Sequence, residues 1–178
     1  MVRIVLIRAN PKDWEKLEKL EKLEKLEKKG QKKGKKKNKD ERQRLYDQLK
    51  KLWSKSVKIT YGHFDGDYYY CEICGKPCKS GEGAGSGKGI AAHHIEGKQS
   101  YTLRFLVING TPICSGCHTM GRYAAHSERT MFINKMIEIR GQEWYDKLLE
   151  IKKEGKKWTI ADMKKRKEEL QNIINQGK

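Results

Sequence analysis

The chain has 178 residues, 36 % of them hydrophobic, and its 40 lysines and arginines against 23 acids give a formal net charge of +17. That length suggests one domain with appendages, and so thin a core is one that a metal could staple. The charge draws polyanions over long range, nucleic acid first, with mere solubility or an anionic membrane surface as the duller readings.

No stretch reaches the roughly 20 apolar residues of a membrane span, and none reads as an apolar-faced anchor helix. Residues 1–7 are apolar but too short for a signal peptide. The expectation is an intracellular chain that is not secreted, whose thiols stay reduced.

Residues 1–8 alternate weakly, as a short strand would, and Asn10-Pro11 ends the run. Asp13 is placed to cap a helix carrying Leu17, Leu20, Leu23 and Leu26. A spacing of three makes the leucine stripe drift, which favours a low-complexity helical arm over a coiled coil. Residues 28–39 hold eight lysines and no acid, the composition of a flexible tether able to grip phosphates.

From Asp40 the pattern is helical, with Leu45, Leu49, Leu52 and Trp53 on one face. Tyr68 to Tyr70 reads as a strand running into Cys71. The glycine-rich stretch 79–89 superficially resembles a phosphate-binding loop. Glu82 and Gly89 stand where that motif needs Gly and Ser or Thr, so it reads as a mobile hairpin loop.

Residues 90–95 and 103–108 read as strands, with a turn at Asn109-Gly110. Beyond Cys117 the pattern is helical. Ser127 is placed to cap a helix containing Met131, Phe132, Ile133, Met136, Ile137 and Ile139, which Gly141 closes. Trp144, Leu148, Leu149 and Ile151 continue the core. Thr159 and Asp162 form a capping-box pair for a last helix over 160–175. This predicts an arm (1–39), a central domain (40–155) and a C-terminal helix (156–178).

Cys71-x-x-Cys74 and Cys114-x-x-Cys117 are two knuckles of equal spacing, 39 residues apart. A two-residue gap lets both sulfurs of a knuckle face one point, and two knuckles supply the tetrahedral thiolate shell that zinc prefers. With four positions filled, such a zinc is structural. A disulfide pair or a redox motif leaves the duplicated spacing unexplained, and Cys78 is left over as a spare thiol in the loop.

His93 and His94 lie between the knuckles. On a strand they point to opposite faces, so one can turn to a metal and the other to a water. Asn109 follows 15 residues after His94, and His118 directly follows the last cysteine.

The run CEICG…HHI…NGTPICSGCH resembles the HNH endonuclease family. LWSKSVKI, HHIEGK, LRFLVINGTPICSGCH and AHSE are together similar to phage recombination nucleases of the NinG/Rap type, over roughly residues 49–150. The resemblance implies an α+β fold with a small ββα-metal core beside the four-cysteine zinc site. It implies hydrolysis of DNA phosphodiester bonds with weak sequence specificity, in the host cytoplasm if phage-encoded.

By the same resemblance His94 is the general base. His93 and His118 bind a catalytic divalent ion such as Mg²⁺, Mn²⁺ or Ni²⁺. Asn109 holds the loop that aims His94, or else touches the metal. The family often adds a ligand after the last knuckle, and His126 is the candidate. A continuous helix would put it about 12 Å from His118, so it needs a bend, which Gly121 permits. The family commonly has proline after the histidine pair, where this chain has Glu96-Gly97.

Arg104, Arg122, Arg129 and Lys98 flank the expected site as phosphate clamps, although Arg104 is equally read as structural. Tyr123 reads as core rather than as a base-stacking residue. The competing readings are a non-catalytic zinc-containing DNA-binding module and an assembly factor that uses its N-terminal helix. A homodimer stays open.

Overall fold

The computed structural model describes residues 40–81, 88–97 and 99–177. The N-terminal arm, Lys98 and the middle of the glycine-rich loop lie outside them. The described chain is α+β, in the order α1 (Glu41–Tyr61), β1 (Tyr68–Tyr70), β2 (Pro77–Lys79), β3 (Ile90–His94), β4 (Gly110–Cys114), α2 (Arg129–Arg140), α3 (Gln142–Lys153) and α4 (Ile160–Gln176). The strands form two separate antiparallel hairpins, β1–β2 and β3–β4. Among the described residues no helix is long and apolar enough to cross a membrane.

The Asp40 carboxylate starts α1 by accepting from the Gln43 amide at 2.7 Å, a cap of about 1 kcal/mol. Leu45, Leu49, Trp53 and Val57 recur every four residues, and all are buried. The capping box at Thr159 and Asp162 forms as expected and starts α4, which buries Met163, Leu170 and Ile174. These two stripes enclose Phe105 and Val107 in one cluster.

Helices α1 and α4 run side by side in the same direction. Glu41 pairs with Lys164 near both starts, at 2.8 Å. Further along, the Ser56 hydroxyl donates to the Leu170 carbonyl at 3.2 Å. The last helix packs within the same compact unit as the rest of the chain from Asp40 onward.

A second cluster lies around the cysteines and is filled by Ile90, Ile95, Leu103, Ile113, Phe132 and Met136. Tyr123 packs against it, as expected for a core residue.

Three sequence expectations need correction. No strand forms over 103–108, because Leu103 enters one cluster while Phe105 and Val107 enter the other. The segment turns and closes in a 3-10 turn at Val107–Asn109. The second strand is instead Gly110–Cys114, and Pro112 is tolerated because β4 pairs only with β3. Ser127 does not cap α2, which starts at Arg129 with Glu128 in the cap position and no side-chain cap bond. Cys78 sits in a strand, β2, rather than in a loop.

Arg140, at the end of α2, ties these parts together. Its guanidinium grips both Glu72 carboxylate oxygens at 2.6 Å and donates to the Gly110 carbonyl at 2.8 Å. It also stacks on Tyr61, 3.6 Å from the ring centre. The pair is almost fully buried, at 7 % and 10 % side-chain exposure. Removing one partner of such a pair strands a buried charge. Arg140→Met should therefore lower urea-measured stability by about 3–5 kcal/mol, and adding Glu72→Met should restore much of it.

Gly110 has ordinary extended dihedrals, φ −114 and ψ 148, so its small size is the requirement. A Cβ there would lie 2.2 Å from Val57 Cγ2 and 3.0 Å from Trp53 Cζ2. Gly110→Ala should destabilise by about 1–3 kcal/mol in thermal unfolding, because helix α1 must move away.

Candidate metal centres

The two knuckles come from different hairpins. Cys71 follows β1, and Cys74 lies in the turn before β2. Cys114 ends β4, and Cys117 lies in the π-helical turn Gly116–Met120. The four Sγ atoms lie within 4.8 Å of one another, none in a disulfide. Cys74 and Cys114 stand 3.8 Å apart. A tetrahedron with zinc–sulfur bonds of about 2.3 Å has edges of roughly 3.8 Å, so the four cysteines can hold a metal such as zinc.

The electrostatics agree. Burial pushes the Cys71 thiol up to about 12, and burial with the neighbouring sulfurs pushes Cys117 up as well. Burial also opposes ionisation of Cys114, but hydrogen bonds from the Cys117 backbone and the surrounding thiols outweigh it and lower the net value. Four ionised sulfurs at this place therefore need a cation. Cys78 is buried nearby, directs its sulfur to the Lys76 carbonyl at 3.6 Å, and is not part of the group.

A second cluster is made of imidazoles. His93 stands on β3 and His118 in the turn after β4. His126 joins them because the chain does not continue as a helix. The Gly121 amide donates to Gly116, and the Ala125 amide donates back to Cys117 at 3.0 Å. This fold-back at Gly121 brings His126 Nε2 to 3.1 Å from His118 Nε2. Two nitrogens bound at about 2.1 Å and at right angles stand roughly 3 Å apart.

The ring of His93 lies edge-on to both partners, at 5.1 and 5.0 Å between centres. Burial, then the positive charge that His118 and His126 would carry, holds His93 down to about 3. It therefore stays neutral near pH 7, the form that binds metals. Burial and His126 lower His118 in the same way.

His94 turns to the other face of β3. Its ring stacks on Trp53, with centres 3.8 Å apart and planes 10° from parallel. Its Nε2 lies 2.8 Å from the Arg104 carbonyl, which can only accept, so Nε2 carries the proton. In the neutral ring the lone pair is then on Nδ1. The Trp53 indole N–H donates to the next carbonyl but one, Leu106, at 2.9 Å.

Asn109 is fully buried and closes the loop between the strands. Its Oδ1 accepts from the Glu96 amide at 2.8 Å, and its Nδ2 donates to the Glu96 and Leu103 carbonyls. Both polar atoms of its side chain are thus engaged by the backbone of the 95–109 loop.

The basic residues divide. Arg129 bonds the Ile95 carbonyl and the Glu96 carboxylate, both at 3.1 Å. Arg104 donates to the Tyr46 hydroxyl and lies over the rings of Tyr46 and Tyr101. Arg122 is exposed beside Tyr123.

Glu96 is buried under Arg129, Lys152 and the Tyr145 hydroxyl. Sequence reasoning missed this network, and it missed Trp53 as the partner of His94. Trp53 carried only the signal of a core position.

No family model, characterised protein or solved structure matches the chain.

A structural zinc contributes about 10 kcal/mol or more to folding at neutral pH, comparable to the whole stability of a domain. Purified protein should hold one tightly bound zinc per chain by atomic absorption. Cys117→Ser, or prolonged chelation, should release it and abolish the cooperative thermal transition.

Proposed function

We propose that this chain is a metal-dependent endonuclease of the HNH type, hydrolysing DNA phosphodiester bonds. One observation carries the reading. Three imidazoles converge on one face of the β3–β4 hairpin, while His94 on the other face directs Nε2 to the Arg104 carbonyl, which leaves the lone pair of the neutral ring on Nδ1. The hairpin, the turn holding His118 and helix α2 have the order expected of a ββα-metal core.

In this reading His93, His118 and His126 would hold the catalytic divalent ion. Such an ion, when bound, supplies positive charge to the scissile phosphate and to the leaving oxygen. His94 does the proton chemistry. Its Nδ1 takes a proton from a water molecule, the water oxygen forms a bond to phosphorus, and the P–O bond to the leaving oxygen breaks. The Arg104 carbonyl keeps the proton on Nε2 and stabilises the imidazolium as it forms.

Asn109 and the Glu96–Arg129 pair keep the 95–109 loop, and so that carbonyl, in place. Because Arg129 and Arg104 serve the loop and its neighbours, Arg122 and the lysine-rich residues 28–39 become the stronger candidates for phosphate contacts. The net charge of +17 supports a nucleic-acid substrate.

Wild type should nick or linearise supercoiled plasmid with Mg²⁺, Mn²⁺ or Ni²⁺. His94→Ala should cleave at least about 100-fold more slowly, while its DNA affinity in a gel-shift assay is unchanged. If no ion supports cleavage although the chain binds DNA, the alternative stands: a zinc-stapled DNA-binding module.

A further inference from the structure

Away from the histidines, the outer face of α1 carries a row of lysines. Lys50, Lys51, Lys55 and Lys58 line a groove of about 520 Å³ between this helix and the β1–β2 hairpin. A second groove of about 710 Å³ adjoins it, since Lys55 and Tyr69 line both. The second groove is aromatic, and Phe64 is 48 % exposed on its wall, packed on Tyr69 at 4.7 Å between ring centres. Among the described residues no carboxylate lines either groove.

We propose that the paired grooves bind single-stranded nucleic acid, with phosphates along Lys50, Lys51, Lys55 and Lys58 and bases stacked on the Phe64–Tyr69 pair.

Three observations support it. A lysine row alone would suit any polyanion, but a large aromatic surface open to water beside it suits unstacked bases. Lys58 is half-buried, and burial lowers its pKa with no acid to counter the effect, so a bound anion would relieve it. The chain between helix and hairpin is also held in a costly shape: His63 has φ +38, a conformation that side chains other than glycine's rarely adopt. That turn presents Phe64 outward, a kind of strain that clusters at ligand clamps. A duplex offers no free base faces, so the aromatic wall separates the two forms of DNA.

The surface is independent of the cleavage reading, and its test reads binding alone. The full chain carrying His94→Ala, zinc-loaded and without added divalent ion, is titrated into labelled oligothymidine and into a labelled duplex by fluorescence anisotropy. Phe64→Ala should weaken oligothymidine binding about tenfold and leave duplex binding within twofold, and Phe64→Tyr should restore it. Lys51→Ala with Lys55→Ala and Lys58→Ala should lower the salt slope for oligothymidine by about two, at roughly 0.7 per phosphate contact. Removing three exposed lysines elsewhere, Lys147, Lys153 and Lys165, should change it less.

The proposal is overturned if Phe64→Ala leaves oligothymidine affinity unchanged or weakens both DNA forms equally. It is also overturned if the two lysine triples act alike, because diffuse charge would then explain the binding. A chain that binds as expected but never cleaves would leave this surface standing and remove the nuclease.

Discussion

The close approach of helix α1 to the β3–β4 hairpin, over Gly110, is the constraint on which the rest of the site depends. Gly110 is the cross-strand partner of His94. With no side chain there, Val57 and Trp53 come down onto the strand, and the indole covers the histidine ring. Both rings then hydrogen-bond to carbonyls of the same short segment, His94 to Arg104 and Trp53 to Leu106. Helix, strand and loop each fix the imidazole in a different direction, and a methyl group at position 110 would push the helix's part of that grip away.

The cysteine cluster and the histidine cluster, each able to hold a metal ion, are linked through the backbone. Cys117 and His118 are consecutive, so the turn that delivers a sulfur to one cluster delivers an imidazole to the other. Arg140 secures the opposite side, holding Glu72, which lies between the first two cysteines, against the start of β4. The sulfur cluster thus fixes the frame in which the histidines meet. Its two knuckles are separated by 39 residues, and closing such a loop costs conformational entropy that a small core repays poorly.

Much of this was legible in the residues. The equal spacing of the knuckles carried the sulfur cluster, and period-two alternation at His93 and His94 carried their opposite faces. The Thr159–Asp162 box and the glycine at 141 marked their helix ends correctly. What was illegible was tertiary. Residues 103–108 look like a strand because Leu, Phe and Val alternate, yet they serve two different cores. Trp53 looks like one more apolar position, and only the fold puts it over a histidine. Glu96 looks like a stray acid until Arg129, Lys152 and Tyr145, from two distant helices, close over it. His126 lay at an unhelpful helical distance, and a fold-back anchored by Ala125 and Gly121 changed that.

The parallel pairing of α1 and α4 has a consequence for how the molecule comes into being. Two neighbouring helices that run the same way need a long return path, and here the path is the whole intervening domain. On a ribosome, Leu45, Leu49 and Trp53 emerge well before residues 160–176, which supply Met163 and Leu170 to the same cluster. The hairpins that appear in between are three to five residues per strand, too small to stand alone in water. The cluster around the cysteines is complete by Ile151, whereas the cluster on α1 waits for α4. The nascent chain must keep part of that apolar stripe soluble, with charged residues on the helix's outer face, until residues 160–176 close over it.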